Sequence, residues 1–375
     1  MTSKERMLLA MTGKTPDRVP VAPDISNMIP CRLTGKPFWD IYLHGNPPLW
    51  KAYLAALEHF KFDGWFIYGY LDLEMRSDVQ YVHEIVSRDV ERIVRRTTIK
   101  TPKGDMTQAD VFRVADPPAP IEMPVKSVAD FPKLLCLYPE ITGYRTETLE
   151  GMRKELGDRG VLGLCVGLPG FQSWMYTFQG GVEAITYLYY DRPDLIHELR
   201  DVEARRALRV AEMSIEAKPD FILIGASGLM TLQSPSIFRD LSLDTLKKVT
   251  RMCKQAGVPT MLHSCGIEKE LVKVCAEETD LDCINPLEEP PMGDCDLAEL
   301  KKLYGKRISL MGNVNTTFPM LLGTPDDVRR AAMKCLEAAK AGGGFILSTG
   351  DQCGRDTPDE NLFAFVETAK AYGKY

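Results

Sequence analysis

The sequence predicts an α/β protein, a single (β/α)8 barrel of the TIM type over residues 1–375, with a small antiparallel β excursion between its second and third strands. Three observations carry the prediction. Eight short strand-like runs alternate with helical stretches long enough for right-handed crossovers, which suits a closed barrel. Between residues 72 and 120 the pattern changes to the apolar/polar alternation of half-exposed strands. No Gly-x-Gly-x-x-Gly follows an early strand, as a dinucleotide-binding open sheet would require.

In chain order, Thr2 with Glu5 three residues later makes a capping box for a helix running to about Met11. Strand one is expected in Arg18-Val19-Pro20-Val21-Ala22-Pro23-Asp24, where an early proline is tolerable because it need not donate to the ladder. A helix from Leu49 to Phe60 leads to strand two, Gly64 to Gly69. The excursion 72–120 contains Arg92-Ile93-Val94-Arg95-Arg96-Thr97-Thr98-Ile99, closed by the turn Pro102-Lys103-Gly104-Asp105. After Pro117-Pro118-Ala119-Pro120, helices near Val125–Leu135 and Thr146–Leu156 bring the chain to strand three, Val161–Gly167. A long helical stretch between Val182 and Ala217 precedes strand four, Asp220–Gly225, and a helix near Ile237–Ala256 precedes strand five, Val258–His263. Strand six is Leu281–Pro286, strand seven Arg307–Gly312 and strand eight Gly344–Thr349, with helices at Lys269–Glu278, Asp296–Tyr304 and Pro325–Ala341 between them.

Composition narrows the function classes. With 45% hydrophobic and 26% charged residues, the 375-residue chain is an ordinary globular one with a sizeable core. A net charge of −6, with no basic stripe interleaved with aromatics, argues against nucleic acid as a partner. No apolar signal segment opens the sequence and no apolar run approaches the roughly 18 residues of a membrane span, so a cytoplasmic protein is expected. Ten cysteines in such a chain read as packing thiols or metal ligands rather than disulfides. Cys165, Cys253, Cys275, Cys283 and Cys335 all sit where a small apolar side chain would serve.

Barrel chemistry gathers where strands end. Strand five ends in His263-Ser264-Cys265-Gly266, where His and Cys two apart in extended chain share a side and make a suitable pair for zinc. Zinc needs more donors, and Glu288-Glu289 after strand six and Cys353 after strand eight offer them over the same mouth. Glu288 ranks ahead of Glu289 because it is closer to the strand, and Cys295 is a lesser substitute inside a helix entry. Glu288 and Asn313 are the candidate catalytic residues; Asp24, Asn285 and Asp351 are placed to orient substrate or ligands. A substrate lining is expected from Asn27, Met28, Trp39, Tyr68, Phe171, Trp174 and Tyr176, although aromatics also pack beneath loops. His44, His59, His83 and His197 have no partner pattern.

Arg18-Val19-Pro20-Val21, Ser234-Pro235, Gly312-Asn313-Val314, Gly343-Gly344-Phe345-Ile346-Leu347 and Thr357-Pro358-Asp359-Glu360-Asn361 together resemble the uroporphyrinogen decarboxylase family over nearly the whole length. His263-x-Cys265 and the distant Cys353 look like the zinc methyltransferases of that family that work with methylcobamides. The resemblance implies zinc on His263, Cys265 and Cys353, with Glu288 in the fourth position. A similar His, Cys, Glu, Cys set recurs in cobalamin-independent methionine synthase. True decarboxylases resemble one another in an arginine-rich segment after strand one; here Asp24-Ile25-Ser26-Asn27-Met28-Ile29-Pro30-Cys31-Arg32 supplies a single arginine.

The resemblance thus implies a corrinoid-linked methyltransferase. No Asp-x-His-x-x-Gly stretch of corrinoid carriers occurs, so the corrinoid is expected on a separate protein that caps the barrel. The leading expectation is transfer from a methoxylated aromatic compound to Co(I), that is, O-demethylation. Alternatives are a methylcobamide:thiol (coenzyme M-type) methyltransferase, a zinc-free decarboxylase-like activity, and a non-catalytic zinc-binding partner of a corrinoid protein.

Overall fold

A computed structural model describes residues 1–375. The chain opens with the helix Ser3–Met11, held by the Thr2/Glu5 capping box. The strands, in chain order, are β1 (Gly64–Gly69), β2 (Asp72–Arg76), β3 (Gln80–Arg88), β4 (Arg92–Thr101), β5 (Gly104–Arg113), β6 (Ala119–Glu122), β7 (Glu140–Arg145), β8 (Gly160–Gly167), β9 (Phe221–Gly225), β10 (Thr260–His263), β11 (Cys283–Asn285), β12 (Ser309–Asn315) and β13 (Phe345–Gly350). Seven of them form one parallel sheet in the order β1-β8-β9-β10-β11-β12-β13, with helices in the crossovers.

The sheet is curled, because its two outer strands meet the same segment. Val21 bridges Leu347 of β13, and its carbonyl accepts from the N–H of Asp63, which immediately precedes β1. This segment is the expected strand one, and it forms a single bridge rather than a regular strand. The physical reason is Pro20 and Pro23: neither has an N–H to extend the ladder, so only Ala22 N–H to the Leu347 carbonyl and Leu347 N–H to the Pro20 carbonyl are made to β13. Arg18 and Arg6 hold the segment from outside, both donating to the buried carboxylate of Asp63, which also accepts from the Val21 N–H.

Strand alternation divides the interior. Ile222, Ile224, Leu262, Ile284, Leu310 and Leu347 face the surrounding helices in a cluster of 59 buried residues. Phe221, Leu223, Met261, Cys283, Met311 and Ile346 face inward, where Met7, Ala10 and Met11 of the first helix pack on them. The helix therefore plugs the end where strands begin, and the end where strands finish is left for chemistry.

Between β1 and β8 lie a four-stranded antiparallel sheet, β3-β4-β5-β6, and a two-stranded one, β2-β7. The second reaches Arg145, beyond the expected limit at residue 120, because β7 returns to pair with β2. The stretch Val182–Ala217 is two helices, Gly181–Asp191 and Pro193–Glu216, interrupted where Pro193 removes a donor. No helix is long and apolar enough to cross a membrane.

Candidate metal centre and its surroundings

At the end of β10 the chain carries His263 to the mouth and then turns sharply. Ser264 is fixed on both sides: its N–H donates to the Asn285 carbonyl and its hydroxyl accepts from the Leu229 N–H. Gly266 has φ +90°, and a Cβ there would lie 2.1 Å from Thr231 Oγ1. Only glycine allows this approach. Thr231 uses it to donate to the Cys265 carbonyl and to accept from the Ile267 N–H, which fixes the backbone on either side of the glycine.

The loop after β11 is held by a residue that no strand-end pattern nominates. Glu268, fully buried, accepts from the N–H of Leu287 at 2.7 Å and of Glu288 at 3.3 Å. Leu287 has φ +65°, and this pair of bonds secures the turn that presents the Glu288 carboxylate, which in turn accepts from the Gly266 N–H. At the end of β13, Thr349 ties two segments together: its hydroxyl accepts from the Asp24 N–H and donates to the carbonyl of Asp351, itself at φ +85°. The Cys353 N–H donates to the Asp24 carbonyl at 2.8 Å.

These turns bring together two overlapping sets of donors, Asp24, His263 and Asp351 on one side and Cys265, Glu288 and Asp351 on the other, each with ligand atoms within 4.8 Å of one another. Asp351 is common to both, and its carboxylate lies 3.9 Å from His263 Nε2. The electrostatics are those of a site short of positive charge. Burial, then Asp351, Glu288 and Glu268, push the Cys265 thiol up to about 12. Burial also raises the carboxyls of Glu288, Asp24 and, furthest, Glu268. No Lys or Arg is among the residues lining the cavity of about 560 Å³ that contains Cys265, Glu288 and Asp351. His263 Nδ1 is buried without a partner. Nitrogen, sulfur and oxygen donors around a focus lacking a cation fit zinc.

Other sequence candidates fall in different places. Glu289 faces away, 3.9 Å from Lys334, in a larger cavity of about 590 Å³ beside the helix Pro325–Ala339; that cavity contains neither His263 nor Cys265. Asn313, expected to be catalytic, lines this same distant cavity: its amide donates to the Leu287 carbonyl and its oxygen accepts from the Cys335 thiol, so it buttresses the β11 loop from behind. Cys353 is buried in the main core, its thiol outside both donor sets, and burial with the charge of Asp24 pushes it up to about 12.

Of the expected substrate lining, Tyr176 reaches the cavity and is 59% exposed. Phe171 and Trp174 do not: three apart on the helix Phe171–Trp174, they share its inner face and pack with Phe131, Phe178 and Ile185 in a separate core cluster. Tyr68 donates to the Ser26 carbonyl and packs on Tyr53, and Trp39 lies on the short helix Phe38–Tyr42, which is tied to Val114 just beyond the antiparallel sheet. Neither lines the Cys265 cavity. Asn27 and Met28 begin the helix Met28–Leu33, half-buried, with Asn27 Oδ1 unpartnered. What the sequence reading missed are Asp351 as the shared donor, Thr231 and Glu268; Asp351 stood beside Cys353 in the same loop, whereas the other two lie outside strand ends.

Comparison with known proteins accords with this architecture. The family model for uroporphyrinogen decarboxylase (URO-D) matches residues 107–372. The methylcobamide:CoM methyltransferase MtaA of Methanosarcina barkeri is 29% identical over 182 residues, 48% of this chain and 50% of that protein. A uroporphyrinogen decarboxylase of Neisseria meningitidis serogroup B is 24% identical over 253 residues, 64% of this chain and 67% of that protein. The chain therefore spans about half the length of the methyltransferase relative. Among solved structures, a methyltransferase from Methanosarcina mazei has the same fold, with a TM-score of 0.67 at 21% identity over 99% of both chains.

Proposed function

Since the chain belongs to the uroporphyrinogen decarboxylase family, we propose that it is a zinc-dependent methyltransferase that works with a corrinoid carried by a separate protein. The observation that carries this reading is the pair of adjoining donor sets, Asp24, His263 and Asp351 beside Cys265, Glu288 and Asp351, joined through Asp351 at a mouth whose cavity is lined by no Lys or Arg. His263, Cys265 and Glu288 would hold the metal beside Asp351, and Cys353, whose thiol lies outside both donor sets, would have to turn from the core toward the mouth to add the further soft donor. Zinc so held would supply Lewis acidity toward an ether oxygen or a thiol.

The chain's own residues do the rest. The Gly266 N–H orients Glu288, Thr231 fixes the Cys265 backbone, and Met175, Tyr176 and Met292 give the cavity an apolar wall. The open mouth leaves a face for the corrinoid protein. An aryl methyl ether suits that wall, so the reading is O-demethylation, with methyl passing to Co(I), in a cytoplasmic enzyme. A second reading, methyl passing from the corrinoid to a thiol, is favoured by the name of the Methanosarcina barkeri relative. A decarboxylase role is disfavoured because Arg32, the one arginine of the loop after the first segment, is already paired with Asp359.

The test is turnover with the full chain, a reduced corrinoid protein and a panel of methoxylated phenols, following methylation of cobalt by absorbance. The parallel arm offers methylated corrinoid protein to thiols. Methylated cobalt formed from an aryl ether supports O-demethylation; thiol methylation without ether activity transfers the assignment to the second reading. Turnover without any corrinoid overturns both, and no turnover in either arm with zinc still bound leaves a non-catalytic binding partner.

A further inference from the structure

A second cavity, of about 310 Å³, opens beside the metal mouth between the end of β8 and the helix Pro193–Glu216. Its wall includes Cys165, Gly167, Ser173, Tyr138, Glu203 and Arg206. Ser173 also lines the cavity of Cys265 and Glu288, and the two spaces meet where Gly167 of β8 pairs with Gly225 of β9, which lines the metal-side cavity. Glycine matters at that border: a Cβ on Gly225 would come within 3.1 Å of the Cys165 sulfur.

Arg206 brings an unused positive charge to this cavity. Its guanidinium pairs with no carboxylate, and its Nη1 is buried with no hydrogen-bond partner; Nη2 reaches only the Met75 sulfur. The nearby carboxyl, Glu203, is engaged elsewhere, accepting from the Tyr138 hydroxyl at 2.5 Å. A buried guanidinium nitrogen without an acceptor costs free energy that an incoming anion would recover. Burial holds the Glu203 carboxyl up at about 7, against the Tyr138 hydrogen bond and the charge of Arg206; Trp174 and Ser173 also face it from the surrounding elements. Below about pH 7 that carboxyl is mostly protonated and can donate to an anion rather than repel it.

We propose that this cavity is the far end of the substrate site and takes the anionic group of an elongated methylated substrate, with Arg206 as its counter-ion. The inference rests on the methyl-transfer reading for the identity of the other end. Strand spacing sets the scale: β8 and β10 are two strands apart, roughly 10 Å, so the methyl-bearing atom and the anion must be separated by at least about that length. A methoxyaryl acid with an extended acidic side chain meets this requirement; a neutral methoxyarene leaves Arg206 unpaired.

The experiment is calorimetric binding to the zinc-loaded full chain, without corrinoid, of 4-methoxycinnamate and its methyl ester, with 8-mercaptooctanoate and its methyl ester as a second charged and neutral pair. The expected result is that at least one acid binds roughly tenfold or more tighter than its neutral partner. Arg206→Met should abolish that preference, Arg206→Lys should keep part of it, and circular dichroism checks that both remain folded. Equal binding of acid and neutral partner in both pairs, or a preference that survives in Arg206→Met, overturns the proposal. Because the readout needs no methyl transfer, a charge preference that depends on Arg206 in a protein that transfers no methyl group would overturn only the assigned activity.

Discussion

Gly266 and Cys265 show how narrowly the site depends on single residues. Gly266→Ala would place a methyl group 2.1 Å from Thr231 Oγ1 at a φ of +90°, so Thr231 must move and its two bonds to the loop must lengthen. The expected cost is about 1–3 kcal/mol of stability, measured by denaturant unfolding, with weaker zinc binding in the same variant. Cys265→Ala and Cys353→Ala should each lose zinc while remaining folded, since thiolates are the softer donors of the set. Asp351→Ala should still bind it, roughly 10–100-fold more weakly. Metal analysis after gel filtration decides, and zinc retained in both cysteine variants would sink the assignment.

Glu203 carries a pH dependence of definite sign. Its folded-state value of about 7 lies above the ordinary 4.5, so between those values the folded protein binds a proton that the unfolded chain has released. Stability from this group is therefore lost as pH rises through that window. Glu203→Gln keeps an acceptor for Tyr138 and cannot ionise. It should match the parent near pH 4 and be the more stable of the two at pH 8, and identical melting curves at pH 8 would refute the burial argument.

At the scale of elements, the legible parts were those whose signal is local. The capping box of Thr2 and Glu5 marks the first helix, and the apolar runs mark β8 to β13, because period and caps are written in adjacent residues. Strand one failed as a strand because two prolines outweigh its apolar character, and β7 went unseen because its partner β2 lies some 70 residues earlier in sequence. The site divides the same way. His263, Cys265 and Glu288 stand at strand ends, and the structure brings their side chains to the mouth; Phe171, Trp174 and Asn313 turn to other sides of their elements, since a sequence shows that a helix or strand exists more readily than which way its end is turned. Asp63 is the element-level test of the closing segment. Buried, and accepting from Arg6, Arg18 and the Val21 N–H, it joins the first helix, the bridge segment and β1. Asp63→Ala leaves Arg18 without a carboxylate partner, while Arg6 keeps its pair with Asp17, and should cost about 3 kcal/mol in denaturant unfolding.

For the whole molecule, the arrangement separates folding from metal binding. The core of 59 buried residues is built from strands and helices, while the donor residues sit on turns beyond the strand ends. Chelation should therefore lower the melting temperature without unfolding the protein at 25 °C. At zinc concentrations about a thousandfold above its dissociation constant, the lost stabilisation is roughly 4 kcal/mol, enough to shift melting by several degrees in a chain of this length. The pH dependence follows from the carboxyls. Without a cation, Glu288, Asp24 and Glu268 are raised above their ordinary values, so the folded metal-free chain holds extra protons and loses stability as pH climbs past about 4.5. Zinc displaces protons from its ligands, so its binding strengthens over the same interval. The difference in melting temperature between zinc-loaded and chelated protein should accordingly widen from pH 6 to pH 8. A difference that narrows over that range, or a far-UV spectrum that collapses on chelation at 25 °C, would mean that the metal is part of the fold rather than a guest at its mouth.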